Sequence, residues 1–64
     1  MTNNKTFTLD NPDAGIRYTY RLVRGMVEVT ENCYTRVRTS TWHVHVCEAR
    51  QWYRNQLDKG YQPA

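Results

Sequence analysis

Sixty-four residues with nine basic and six acidic side chains, a net charge of +3, make one small domain and leave no room for a second. A chain this short buries only about 60% of its unfolded surface, but five tyrosines, two tryptophans and a phenylalanine enlarge what each residue can bury and exclude a disordered polar tail. The charge is too mild for a polybasic arm, no apolar run reaches membrane-spanning length, and no charged-then-apolar leader opens the chain.

Residues 1–4 are polar and expected to fray. KTFTL follows, alternating Phe7 and Leu9 with Thr6 and Thr8, which predicts a short edge strand. Asp10 to Gly15, DNPDAG, is a loop signal, and Pro12 has no N–H to give a central strand. From Ile16 to Val23 the alternation is clean: Ile16, Tyr18, Tyr20 and Leu22 on one face, Arg17, Thr19 and Arg21 on the other. Arg24-Gly25 is a two-residue turn. Setting Val23 opposite Met26 pairs Leu22 with Val27, Tyr20 with Val29 and Arg21 with Glu28, so both faces agree on one register.

A second turn is expected around Glu31, Asn32 and Cys33. An odd loop there sets Val27 against Val37 and Glu28 against Arg36, placing Glu28 between two arginines on the outer face. Ser40 to His45 either continues this strand or leads out to a helix. From Val46 the period becomes helical: Val46, Ala49, Tyr53 and Leu57 share a face, with Trp52 and Gln56 on its flank. Glu48 in the first turn and Lys59 at the last suit the helix dipole, Gly60 stops the helix, and Pro63 forbids its continuation. The predicted fold is α+β: a three- or four-stranded antiparallel β-meander over residues 5–40, with one C-terminal α-helix, residues 46–59, packed on one face.

Three constellations can carry chemistry. His43, His45 and Cys47, with Cys33 in the preceding turn, supply zinc-binding residue types. Their spacing is neither a knuckle nor one helical turn, and they diverge if a helix begins at Val46, so the reading favours no metal. Two cysteines are too few for a disulfide framework, and reduced thiols in a cytoplasmic protein are expected. Arg17, Arg21, Arg36 and Arg38, with Tyr34 and Met26 nearby, form a face that suits phosphate or an acidic protein surface, or that is satisfied by Glu28 and simply solvated. Trp42 and Trp52 exceed what one small sheet easily buries, and so mark either a contact surface or the rim of a thin core. Arg50, Gln51, Arg54, Asn55, Gln56 and Lys59 read as the wet side of the helix. No nucleophile–base–carboxylate set, glycine-rich phosphate loop or paired carboxylates are present, so neither catalysis nor a cofactor is expected.

Within EARQWYRNQLDKGYQ, residues Ala49, Arg50, Trp52, Tyr53, Leu57, Gly60 and Tyr61 resemble the closing helix of small uncharacterised proteins of marine cyanobacteria and their phages. The resemblance covers about a quarter of the chain. It implies a bacterial or phage origin and no particular activity. The residues themselves lead to a non-enzymatic binding or regulatory module that contacts a protein partner or its own copy. The alternative is a nucleic-acid-binding module that uses the arginine-bearing sheet face.

Overall fold

Alternation and turn chemistry agree most closely between residues 16 and 33, and that hairpin forms the centre of the sheet. The computed structural model describes residues 6–64, so the frayed tail expected at residues 1–4 lies outside the described residues. Strand β2 (Ile16–Val23) turns at Arg24 (φ 51°) and Gly25 (φ 79°) into β3 (Met26–Cys33). Positive φ at both loop positions is what a primed two-residue turn needs to match the strands' twist. The register is Val23 to Met26, Leu22 to Val27, Arg21 to Glu28 and Tyr20 to Val29. The expected pairing holds at every position.

The third strand of the meander lies further along the chain than the odd loop predicted. Residues 34–37 form a turn closed by the Arg36 N–H donating to the Cys33 carbonyl at 3.2 Å, and Val37 takes φ 52°. Strand β4 then runs Arg38–His45. Val27 faces Val44 instead of Val37, and Glu28 faces His43 instead of Arg36. The physical reason is burial. This register carries Trp42 and Val44 to the core face beside Val29 and Val27, whereas the predicted one leaves both outside the sheet. Ser40 to His45 is therefore strand.

Strand β1 (Thr6–Asn11) pairs antiparallel with β2, Leu9 against Tyr18. All three hairpin registers set threonine against threonine: Thr8 to Thr19, Thr19 to Thr30 and Thr30 to Thr41. The Thr30 and Thr41 hydroxyls lie 3.3 Å apart, a cross-strand pair that helps hold the outer face in register.

Helix α1 spans Val46–Asp58, with His45 as an N-cap that makes no side-chain bond and Lys59 as the C-cap. Gly60 (φ 96°) ends it, and the Tyr61 N–H donates to the Gln56 carbonyl at 3.0 Å. This turn returns the chain to β1, where a two-residue strand β5 (Gln62–Pro63) pairs with Leu9 and Asp10. The edge expected at β1 is thus partly covered. The result is a five-stranded antiparallel sheet in the order β4-β3-β2-β1-β5, with the helix on one face.

The core lies between them and consists of Leu9, Tyr18, Tyr20, Val27, Val29, Ala49 and Tyr61, with Ile16, Trp42, Val44 and Tyr53 packed against it. The helix is rolled relative to the predicted stripe. Val46 and Leu57 are exposed, and Gln56 is buried at 5% exposure. Gln56 therefore leaves the group read as the wet side. The roll follows from the aromatics: Trp52 meets Tyr18 and Trp42 edge-on, and Tyr53 meets Tyr20 and Phe7. Seating both rings turns Ala49 and Gln56 into the sheet as the buried positions, with the two aromatics packed beside them.

Candidate functional site

The alternation that builds the sheet also sorts its arginines, and it does not gather them on one face. Arg17 and Arg21 lie on the outer face, each paired with a carboxylate: Arg17 with Asp10 at 3.4 Å and Arg21 with Glu28 at 3.0 Å. Glu28 also lies 3.5 Å from His43 Nε2, so its neighbours are Arg21 and His43, not Arg21 and Arg36. Arg36 sits in the turn, and Arg38 opposes Cys33 on the core-facing side of the sheet. The Tyr34 hydroxyl donates to Asp10 at 3.2 Å, tying the turn between β3 and β4 to the end of β1. Met26 closes the first hairpin opposite Val23, at the other end of β3 from that turn.

The metal candidates separate in the same way. His43 and His45 share the outer face by strand alternation, Cys47 is exposed on the helix, and Cys33 lies at the far end of β3. Among the described residues no group of three or more His, Cys, Asp or Glu side chains is placed to hold an ion. Cys33 Sγ lies 3.5 Å from the Thr35 hydroxyl, and this contact, with the nearby Arg36 charge, holds the thiol below its ordinary pKa.

Trp42 and Trp52 pack on each other edge-to-face, ring centroids 5.8 Å apart, at the seam between β4 and the helix. Trp42 is half-buried, while Trp52 stays 38% exposed. They sit beside the feature that sequence reasoning missed. Among the described residues strand β4 pairs with β3 on one side only, so its other side is an open sheet edge eight residues long. Six of those eight residues are exposed.

The backbone polarity of this edge follows from the hairpins. A two-residue loop closes on a hydrogen-bonded pair, and such pairs alternate along an antiparallel ladder. Val23–Met26 is that pair, so the even residues of β3 bond to β2 and the odd ones to β4. Val27, Val29, Glu31 and Cys33 oppose Val44, Trp42, Ser40 and Arg38, which leaves Thr39, Thr41, His43 and His45 to present N–H and C=O groups to the open side. What the sequence does show is the strand itself: Thr41 to His45 alternates polar with apolar, and threonine recurs every eleven residues at 8, 19, 30 and 41. No known protein family, curated protein or solved structure matches this chain. Among the described residues no helix is long and apolar enough to cross a membrane.

Proposed function

We propose that this chain is a small non-enzymatic binding module that acts by protein contact, through strand addition of its β4 edge to the same edge of a second copy. The observation that carries this reading is the open eight-residue edge. Natural sheets blunt such edges with proline, lysine, bulges, inward charges or very short strands. Strand β4 is eight residues long and has no proline, lysine or bulge; its one fixed charge, Arg38, is on the core-facing side but at the very start of the strand, away from its centre. Both ends of the contact would use the same surface, as a two-fold dimer requires.

Antiparallel addition centred on Thr41 sets Thr41 beside Thr41 of the second copy, Thr39 beside His43, Ser40 beside Trp42 and Arg38 beside Val44. No like charges oppose one another in that register. It keeps the core face continuous from one copy to the next and brings the exposed Trp52 rings toward the junction. Phosphate binding by the sheet draws less support, because Arg17 and Arg21 are already paired with carboxylates and Arg38 faces the other way.

Sedimentation velocity across a concentration series tests this. The chain is expected to reach twice its monomer mass. Thr41→Pro, which removes an outward N–H while sparing the ladder to β3, is expected to leave a folded monomer. A wild-type chain that stays monomeric at every accessible concentration, or a Thr41→Pro variant that still dimerises, would sink the reading.

A further inference from the structure

On the flank of the helix away from Trp52 the described residues leave the sheet incompletely covered. The gap is a groove of about 510 Å³, with Phe7, Leu22 and Val27 on the sheet side and Val46, Ala49 and Tyr53 on the helix side. Phe7 (54% exposed), Leu22 (50%) and Val46 (36%) are exposed large apolar side chains, and all three converge here. Scattered exposed apolar residues are ordinary, but a contiguous set in a concave site is not. Tyr20 lines the same groove, and its buried hydroxyl has no hydrogen-bond partner among the described residues.

Two arginines complete the lining. Arg50 and Arg54 stand one helical turn apart, on the same side of the helix. Among the described residues neither is in an ion pair, whereas Arg17 and Arg21 both are. An apolar trough bordered by two unneutralised forked cations matches a ligand with an apolar body and an anionic head.

We propose that this groove binds a free single-chain amphiphile bearing a carboxylate, its alkyl or aryl body between Phe7, Leu22 and Val46 and its head at Arg50 and Arg54. The size of the groove selects this occupant. Its volume falls within the range of small-ligand sites, about 300–1,000 Å³, whereas a stable protein partner needs about 800 Å² of surface on each side. A membrane surface is a poorer match, since the apolar side chains line a recess. No β4 residue takes part, so this site stands independently of the edge pairing proposed above.

The test is a titration of the full chain with sodium decanoate, decanol and decyltrimethylammonium below their micellar concentrations, followed by two-dimensional amide NMR. Decanoate is expected to give saturable one-to-one shifts centred on Phe7, Leu22, Val46 and Tyr53, with at least tenfold tighter binding than the cationic amphiphile. Arg50→Gln with Arg54→Gln, both exposed positions, is expected to weaken decanoate at least tenfold and decanol less than threefold. Equal binding of the three heads, or decanoate affinity unchanged in the double variant, would overturn the assignment. So would the absence of saturable shifts at the groove, or retention of the chain by anionic vesicles without decanoate binding.

Discussion

The turn between β1 and β2 is locked to the turn between β3 and β4 at one glycine, and a single methyl group there is expected to undo much of the fold. Gly15 is buried, takes φ +68°, and accepts a hydrogen bond from the Tyr34 N–H at 3.0 Å. A Cβ at position 15 would lie 2.2 Å from Thr35 Cγ2, 2.9 Å from its Oγ1 and 3.1 Å from its Cβ. The left-handed backbone alone costs an L side chain about 1–2 kcal/mol, and forcing an extra methyl into a filled site adds about 1–3 kcal/mol. Gly15→Ala is therefore expected to lose about 2–5 kcal/mol, as the sum of these two costs. A domain of this length is worth only about 3–10 kcal/mol in total.

Urea unfolding of four proteins separates the two contributions: wild type, Gly15→Ala, Thr35→Ala and the double variant. Thr35→Ala removes the two closest atoms, so the double variant is expected to recover about 1–2 kcal/mol of the single loss, leaving the backbone cost in place. Where Gly15→Ala is too unstable for a baseline, a double variant that folds makes the same point. Losses that add to within about 0.5 kcal/mol would refute the contact, and a Gly15→Ala cost below about 1 kcal/mol would refute the left-handed backbone as well.

Val37 holds φ 52° at 91% exposure, a conformation that a β-branched residue adopts under strain and with no burial in return. Val37→Asn is expected to stabilise the chain by about 1 kcal/mol, raising the melting temperature by about 4–8 °C; an unchanged or lower midpoint in a thermal melt would contradict the turn geometry. Burial pushes the Tyr20 phenol up to about 12 from an ordinary 10.0, and burial with the Glu31 bond raises Tyr18 as well. Above pH 10 the unfolded chain sheds these protons while the folded chain keeps them, so stability is full below pH 10 and falls as the pH approaches 12. Tyr20 accounts for about 2–3 kcal/mol of that fall. Urea midpoints measured from pH 8 to 11.5 are expected to drop less steeply in Tyr20→Phe, and equal slopes would refute the assignment.

How far the sequence reveals this fold depends on whether local signals compete. In the hairpin of β2 and β3 the alternation on both faces and the Arg24-Gly25 turn admit a single register, and the structure contains it. Thr35 to Thr39 is different. Its arginines flank Val37 in the alternation of a strand, yet those residues form a turn and the first part of β4, with Val37 wholly in solvent. Period alone cannot separate the two, because a turn with one left-handed residue interrupts no alternation visible at that length. What decides is a long-range demand: Trp42 and Val44 need the core face, and only the later strand takes them there. The helix is similar. Its period and termini were legible to within a residue, but its roll was not, because that depends on where Trp52 and Tyr53 find rings across the interface.

The candidate sites were less legible than the fold because both arise from what the fold leaves uncovered. An α-helix with its side chains is about 10–12 Å across, while four strands spaced about 4.8 Å apart already span more than 14 Å between the outer two. One helix cannot roof such a sheet. Its backbone runs closest to β3 and β4, and a margin is left on each flank. On the β4 side the two tryptophans fill that margin and the strand's own edge stays open. On the β1 side Tyr53 meets Phe7 edge-to-face, but Phe7 and Leu22 stay at least half exposed and the groove remains. No short window of sequence carries that information, since an open edge is a property of strand order and a groove is a property of helix roll. The arginines divide along the same lines. The pair on the outer face is neutralised by cross-strand carboxylates set by register, and among the described residues the pair on the helix has no counter-charge where the roof falls short. Arginine count therefore points nowhere in this chain, and the position of each guanidinium relative to the uncovered surface is what assigns it a role.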